Sequence, residues 1–397
     1  MIPIKIVDGR SGKKNVQSCC ENTQSSCSQP VDTSTKIQLP LHFEAIEKKP
    51  EWVLSMVNTP AGQIPLVSPE WSKADRRGCL RSRLGAFRMS YSIQPGLYAI
   101  GSPDAGSDVF VSANYKLSFD VLRRSLDGLS GWILVLDTKG INVWCAAGKG
   151  TFGTNELIKQ IINTGLAKIV SHRRIIVPQL GAVGVKAAEV KKETGFNILF
   201  GPVDAKDIKE YLNLKYKAYQ EMRRVKFSVF KRLELTPIEL YPALKRFLWA
   251  ALIILLLFGF EPTGIIFRTA WLEGWPFLLL CFVSILTGAF IAPVLLPFIP
   301  FRSFAIKGII TGLTAAIPLV YFSPVFGYDS GFVKVSAVLL AATLSSYLAL
   351  QFTGATTFTG ISGVKKELKL ALPLYIAGIA ISVILIVIYK IKSWGII

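Results

Sequence analysis

A single cysteine lies within a run of small residues that could carry out chemistry. The run covers residues 142–150 and reads Asn-Val-Trp-Cys-Ala-Ala-Gly-Lys-Gly, with its thiol at Cys145. A thiolate is both a soft ligand and a nucleophile, so Cys145 could bind a soft metal or attack an electrophile. Ala146, Ala147 and Gly148 would let a large flat cofactor approach the backbone closely. The alternative is an inert thiol in the core, where free cysteines are most often found.

The elements that must position this run alternate between short apolar strands and amphipathic helices. Strands are predicted at 132–136, 174–177 and 197–200, and helices at 155–168, 183–193 and 205–212. This alternation predicts an α/β domain with a parallel sheet covered by helices. Ligands bind such sheets beyond the carboxyl ends of the strands. Because Cys145 follows the first of these strands, we expect it at the ligand-binding edge.

The composition indicates a membrane protein rather than a single soluble core. The 397 residues are 51% hydrophobic and have a mean hydropathy of +0.43. Five apolar stretches approach the length that a bilayer requires, at 247–260, 276–296, 304–322, 332–352 and 370–388. The first is short and is expected to extend past Glu261 toward Phe267. Gly308 and Gly312 are one helical turn apart and are expected to pack helices together.

The net charge of +19 is better explained by lipid and topology than by nucleic acid. Basic residues flank the apolar stretches, and no nucleic-acid recognition motif accompanies them. The basic stretch 215–232 is expected to be a membrane-facing linker. Lys and Arg are concentrated in the loops after the second and fourth apolar stretches, which places the N-terminal domain in the cytoplasm, at the inner (cell) membrane.

Three parts are predicted along the chain. Residues 1–36 are rich in Ser, Thr, Gln and Asn and are predicted to be a disordered tail, residues 37–235 a cytoplasmic ligand-binding domain, and residues 236–397 a transmembrane domain. No secretory signal is expected at the N terminus, and the irregular spacing of the six cysteines favours a reducing compartment. The tail cysteines match no cluster pattern and are expected to be solvated thiols, with soft-metal capture as the alternative. They are Cys19, Cys20 and Cys27.

Several segments resemble the corrinoid-binding domain of the large subunit of the corrinoid iron–sulfur protein. They are Pro95–Gly101, Val109–Phe119, Pro178–Gly181, Glu189–Phe196 and Phe200–Val203. A narrower likeness lies in the octapeptide at 142–149, which is followed by an apolar C-terminal half. This combination resembles the mercury-methylating corrinoid proteins of anaerobic microbes. Neither a barrel domain nor the iron–sulfur cluster motif of the first family is found in the sequence.

The resemblance implies a Rossmann-like domain that binds base-off cobalamin, with Cys145 as the catalytic residue and the lower axial ligand of cobalt. Corrinoid proteins often supply a histidine from an Asp-x-His-x-x-Gly motif instead, but this chain has only His42 and His172, both expected to be ordinary surface or loop residues. The expected cofactor contacts are Asn142, Val143, Trp144, Cys145, Ala146, Ala147, Gly148 and Lys149 in a cap segment, and Thr138, Lys139, Gly181, Gly184, Gly201 and Pro202 around the nucleotide tail. Trp144 is expected to anchor the segment by packing. Lys149 is expected to lower the pKa of the thiol or to contact the corrin edge, and the alternative is that it faces solvent.

The function implied by the resemblance is methyl transfer from a methyl-cobalt(III) corrinoid to Hg(II), giving methylmercury within anaerobic one-carbon metabolism. A methyl-folate-dependent methyltransferase would supply the methyl group, and a ferredoxin-like iron–sulfur protein would supply low-potential electrons. One alternative is a corrinoid methyl carrier for a different acceptor. Another is a membrane transporter or sensor whose soluble domain binds some other flat or phosphate-bearing ligand. Ionisable residues within the apolar stretches would favour transport, and the sequence has almost none.

Overall fold

The computed structural model describes residues 50–355 and 361–395. The predicted tail at 1–36, with its three cysteines, and the segment 37–49 lie outside the described residues. Within them, a mixed α/β sheet domain is followed by a helical region with five apolar helices.

Seven strands form one sheet in the order β1-β2-β3-β5-β4-β6-β7. The strands are β1 Val53–Thr59, β2 Gly62–Val67, β3 Gly96–Ile100, β4 Val109–Ala113, β5 Gly131–Leu136, β6 Arg174–Val177 and β7 Asn197–Phe200. The last four run parallel, whereas β1 pairs antiparallel with β2, and β3 antiparallel with β5. The expectation of a parallel sheet is therefore right for β4 to β7 and for the pair β2 and β3, and wrong where β3 meets β5 and β1 meets β2. A hairpin and a reversed strand precede the repeating unit that the sequence pattern revealed.

Within residues 50–235, eight α-helices accompany the sheet. They are α1 Lys73–Leu84, α2 Lys116–Ser125, α3 Val143–Lys149, α4 Thr154–Asn163, α5 Leu166–Ile169, α6 Ala187–Thr194, α7 Ile208–Asn213 and α8 Val229–Leu235. Alternate residues of β5 enter two different cores, since Leu134 packs with α4 and α6 whereas Val135 packs with α2 and α7. Burial on both faces explains why β4 and β5 are almost wholly apolar.

Three predicted helices differ in their bounds. The one predicted at 205–212 is an α-helix only over Ile208–Asn213 and follows a 3₁₀ turn at Ala205–Asp207. The helix predicted at 155–168 is interrupted after Asn163, because Gly165 takes the left-handed conformation at φ 60° and starts the short helix α5. The helix predicted at 183–193 begins only at Ala187. The residues before it form a turn whose Lys186 N–H donates to the Thr154 hydroxyl at 2.9 Å.

A buried network of charges joins α1 to α2. The Lys116 ammonium donates to Asp75 at 2.8 Å and also to Asp120, and the Arg123 guanidinium donates to Asp75 at 2.7 Å and to Asp120 at 2.8 Å. Burial opposes ionisation of Asp75, but the Lys116 ammonium and Arg123 hold its pKa below the usual value. Burial raises the pKa of Asp120 in spite of the same two cations. Two positive charges thus balance two negative charges in the interior.

Among the described residues, five helices are long and apolar enough to cross a membrane, as predicted. The helical region contains α9 Pro237–Gly259, α10 Phe267–Leu286, α11 Ala292–Val294, α12 Phe304–Tyr321, α13 Gly331–Gln351 and α14 Ile361–Ser393. A π-helical turn at Thr287–Ile291 continues α10 into α11. The first apolar helix does not extend toward Phe267, because it ends at Gly259 and is followed by the hairpin β8 Phe260–Glu261 and β9 Gly264–Ile265.

The predicted packing role of Gly308 and Gly312 is confirmed. A Cβ added to Gly308 would lie 2.5 Å from Ser346 Cα, and one added to Gly312 would lie 2.7 Å from Ser345 Cβ. Glycine at these two positions lets the backbones of α12 and α13 approach closely.

Candidate cofactor-binding site

Cys145 lies in the first turn of α3, on the outer side of the sheet domain. The Asn142 side chain caps this helix, because its Oδ1 accepts a hydrogen bond from the Cys145 N–H at 2.9 Å. Cys145 is exposed, whereas the other two cysteines of the described part of the chain, Cys79 and Cys281, are buried. Burial raises the pKa of the Cys79 thiol. Of these three thiols, Cys145 is therefore the one that an external ligand can reach.

Small residues let α3 pack against the core of the domain. Ala146 and Ala147 are buried in the core beneath α3, while Trp144 is 42% exposed and Lys149 is exposed. A Cβ added to Gly148 would meet no atom within 4 Å, so the outer face of the helix is open at this position. One side of the predicted cap segment thus packs inward and the other side is available to a ligand.

Asn114 organises the loop between β5 and α3. This buried residue follows β4, and its Oδ1 accepts hydrogen bonds from the Thr138 N–H at 3.0 Å and the Gly140 N–H at 2.9 Å. The Thr138 hydroxyl lies 2.8 Å from the same oxygen and 2.6 Å from the Ile141 carbonyl oxygen. Sequence reasoning missed Asn114, although a polar residue directly after a buried strand was the available signal.

Two predicted tail contacts, Thr138 and Lys139, are engaged within this loop. Thr138 is fully buried, so its hydroxyl stabilises the loop rather than an open surface. Lys139 has φ 60° and pairs with Asp137 at 2.5 Å. Burial raises the pKa of Asp137, but hydrogen bonds from the Lys139 side chain and backbone outweigh it and leave that pKa below its usual value.

A cleft of about 360 Å³ opens at the carboxyl ends of β4, β6 and β7. Its walls come from these strand ends, from α2 and from the start of α3. The lining residues are Phe110, Val111, Ser112, Tyr115, Leu117, Ser118, Val121, Leu122, Asn142, Val143, Trp144, Ile176, Pro178, Leu180, Gly201, Pro202, Val203, Asp204, Ala205 and Ile208. The three residues directly before Cys145 thus belong to the wall of a mostly apolar cleft, at the edge where such sheets bind ligands.

The four remaining predicted contacts divide into two pairs. Gly201 and Pro202 line the cleft. Gly181 and Gly184 pack instead against the segment that carries the cysteine, because an added Cβ would lie 2.4 Å from Phe152 Cε1 at Gly181 and 2.1 Å from the Phe152 carbonyl oxygen at Gly184. Gly181 and Gly184 therefore let α3 and the turn that follows it pack closely on the domain.

Part of the basic stretch 215–232, expected to face the membrane, packs on the domain instead. Met222 is buried, and its carbonyl accepts a hydrogen bond from the Val203 N–H at 2.8 Å. The Lys231 ammonium donates to both carboxylate oxygens of Asp204 at 2.9 Å, at the edge of the cleft. The stretch therefore connects the cleft to the first apolar helix.

These residues fit a large cofactor that carries its own metal. The described residues contain no group of three or more His, Cys, Asp and Glu side chains that could hold a metal ion, so Cys145 would contribute a single protein ligand. An exposed soft thiol, an open helix face at Gly148 and an adjacent apolar cleft suit a flat macrocycle with a tail.

Comparison with known proteins identifies relatives of this part of the chain. Residues 87–212 match the family model of the CO dehydrogenase/acetyl-CoA synthase delta subunit. Over residues 87–212 the chain is homologous to CO dehydrogenase/acetyl-CoA synthase delta subunits. The acetyl-CoA decarbonylase/synthase complex subunit gamma of Archaeoglobus fulgidus is 34% identical over 127 residues, and that of Methanocaldococcus jannaschii is 33% identical over 127 residues. The subunit gamma of Methanopyrus kandleri is 32% identical over 128 residues.

The homologous segment contains the whole candidate site but not the whole chain. The alignment with the Archaeoglobus protein covers 32% of this chain and 27% of that relative. The chain therefore spans about a quarter of the length of the curated relatives that it matches. The strands β4 to β7, α3 and the cleft lie inside the segment, whereas α1 and the five apolar helices lie outside it.

Proposed function

We propose that this chain is a membrane-anchored corrinoid protein that transfers a methyl group to Hg(II), with the Cys145 thiolate as the lower axial ligand of cobalt. One observation carries the proposal: the exposed thiol lies on a capped helix whose cap and first two residues form part of the wall of a cleft at the carboxyl edge of the sheet. The homology over residues 87–212 supports the corrinoid part, because these homologues are of the corrinoid iron–sulfur large-subunit type.

Each residue of the site would have a distinct task. A bound corrinoid supplies a cobalt centre that can carry a methyl group. The Cys145 thiolate would donate electron density to that centre, which favours departure of methyl as a carbanion equivalent, the form that the electrophile Hg(II) requires. The Asn142 side chain would hold the thiol-bearing turn in place. Gly148 would leave room for the macrocycle, and Gly201 and Pro202 would border its nucleotide tail.

The remaining expectations belong to the same proposal. Base-off cobalamin is the cofactor, a methyl-folate-dependent methyltransferase is the methyl source, and a ferredoxin-like iron–sulfur protein is the electron donor. The domain at 37–235 would lie in the cytoplasm, and the region 236–397 would anchor it in the cell membrane. Five helices of sufficient length and apolarity support the anchoring.

A second candidate is corrinoid-dependent methyl transfer to a different acceptor. The matched relatives favour it, since their names refer to acetyl-CoA decarbonylase/synthase and not to mercury. Both candidates need the same cofactor and the same thiol. They differ only in the acceptor and can be separated by assay.

The decisive experiment is an anaerobic absorption spectrum of the full chain in detergent, reconstituted with cobalamin. Native protein, Cys145→Ala and Cys145→Ser are compared, with Cys281→Ala as a control that removes a thiol buried in α10. We expect base-off bands that shift only when Cys145 is present. After reconstitution with methylcobalamin, which supplies the methyl group, we expect methylmercury formation from Hg(II) that is lost in both Cys145 variants. Coincident native and Cys145→Ala spectra would reject the thiolate ligand. A thiolate-dependent spectrum without methylmercury would favour the second candidate, and failure to retain any corrinoid would favour a transporter or sensor.

A further inference from the structure

Helix α1 lies outside the homologous segment and packs beside the start of the first apolar helix. Arg83 near its end forms an ion pair with Glu234 on α8. A Cβ added to Gly85, the residue that ends α1, would lie 3.6 Å from Tyr241 Cε1 in the second turn of α9. These contacts place the C-terminal end of α1 against the junction between the sheet domain and the helical region.

The height of this junction follows from helix geometry. Tyr241 lies four residues before Lys245, a rise of about 6 Å along α9. Lys245 and Arg246 precede the apolar run of that helix, which is where cationic side chains reach the surface of a bilayer. Because the headgroup layer is about 5–8 Å thick on each side, the C-terminal end of α1 would lie at headgroup level.

The exposed surface of α1 is cationic. The helix has 12 residues, and its single acidic side chain, Asp75, is buried and paired with Lys116 and Arg123. Four exposed basic residues remain: Lys73, Arg76, Arg77 and Arg81. Arg88 in the following turn is exposed as well. No carboxylate among the described residues forms an ion pair with any of these five cations.

Two apolar side chains project among these cations. Leu80 is 59% exposed and Met89 is 64% exposed. Leu80 follows Arg76 by one helical turn, so it lies on the same face. Exposed apolar residues surrounded by Lys and Arg are the pattern of segments that rest on a membrane surface, with the apolar groups dipping below the headgroups. An acidic protein surface would also complement these cations, but it would not explain why they lie beside α9.

We infer that α1 and the turn Ala86–Met89 form a second membrane contact, which binds the anionic headgroups of the leaflet and seats the sheet domain on its surface. The inference rests on the proposed membrane crossing of α9. Its occupant is an anionic phospholipid, recognised by the phosphate and net negative charge of its headgroup.

Photocrosslinking of the full chain tests this contact. Benzoylphenylalanine replaces Leu80, and in a matched control it replaces Ile162, which is 57% exposed on α4. The protein is placed in nanodiscs of phosphatidylcholine with or without phosphatidylglycerol, irradiated and analysed by intact mass. We expect phospholipid adducts at position 80, more from phosphatidylglycerol than from phosphatidylcholine, and none at position 162. Removing one of the five cations should lower the ratio of phosphatidylglycerol to phosphatidylcholine adducts about fivefold at low salt.

Charge variants separate specific binding from mere proximity. Arg76→Gln combined with Arg77→Gln should lower the phosphatidylglycerol preference about 25-fold at low salt, whereas Lys191→Gln combined with Lys192→Gln on α6 should leave it unchanged. In native membranes, a protein adduct at position 80 in place of lipid would overturn the inference, as would the absence of any adduct. Carbonate extraction distinguishes the two proposals: a chain released by carbonate is not anchored, whereas a retained chain without lipid adducts refutes only the contact at α1.

Discussion

The side-chain oxygen of Asn142 accepts a hydrogen bond from the backbone N–H of Cys145 at 2.9 Å, so the residue that caps α3 also fixes the residue that carries the thiol. The helix has only seven residues, and such short helices depend on their caps and on packing rather than on intrinsic propensity. The position of the thiol is thus coupled to one amide side chain.

Replacing Asn142 by Ala should loosen the start of α3 by about 1 kcal/mol, because an N–H loses its partner. Amide hydrogen exchange at Cys145 should become roughly fivefold faster in the cofactor-free protein. Asn142→Ser retains a capping oxygen and should stay close to the native rate. Equal rates in Asn142→Ala and the native chain would show that the cap does not hold this turn.

Asn114→Ala should disturb the loop that leads to α3. The Thr138 and Gly140 N–H groups would lose their acceptor, at a cost of about 1–3 kcal/mol for each group that stays buried without a partner. We expect a lower thermal midpoint for the full chain in detergent and faster exchange over residues 137–141. Asn163→Ala, at the exposed end of α4, is the control and should change neither quantity. A native-like Asn114→Ala protein would contradict the assigned role.

Local patterns predicted the repeating part of the fold better than its start or its loops. The bounds of β6 and β7 were predicted without error, because short β-branched and apolar runs between turn residues have few alternatives. The reversed pairing of β3 with β5 depends on contacts between distant segments, which periodicity does not report. In the site, the sequence singled out Cys145 as the candidate ligand. It did not single out Asn114, which acts on a loop 24 residues further along the chain. The sequence also does not show that Gly181 and Gly184 pack in the interior, because a glycine in a turn can make room either for a ligand or for a neighbouring side chain.

Two glycines near the thiol should respond in opposite ways to the same substitution. At Gly184 an added Cβ would lie 2.1 Å from the Phe152 carbonyl oxygen, so Gly184→Ala should displace the turn and cost about 1–3 kcal/mol. At Gly148 an added Cβ meets nothing within 4 Å, and Ala is favoured over Gly within a helix by about 0.8–1 kcal/mol. Thermal midpoints of the cofactor-free chain should therefore fall for Gly184→Ala and rise slightly for Gly148→Ala. If the macrocycle lies against the open face of α3, Gly148→Ala should also weaken cobalamin binding, as measured by titration. Two midpoints that move in the same direction would contradict the assigned packing.

Lys116→Met should be strongly destabilising, because it leaves two buried carboxylates with one cation. The Lys116 side chain is 7% exposed, and removing one partner from such a network costs about 3–5 kcal/mol near neutral pH.

The sign of the pH dependence follows from the two carboxylates, Asp75 and Asp120. Without the ammonium, the pKa values of Asp75 and Asp120 in the folded state rise above the unfolded value near 3.9, so the folded variant binds more protons in that window and loses stability as pH increases through it. The thermal midpoint of Lys116→Met should approach that of the native chain at acidic pH and fall further below it at pH 7. Lys159→Met removes a cation that is 61% exposed and 3.9 Å from Glu156, so it should change the midpoint little at either pH. A Lys116→Met deficit that is independent of pH would show that lost packing, rather than unbalanced charge, dominates at this position.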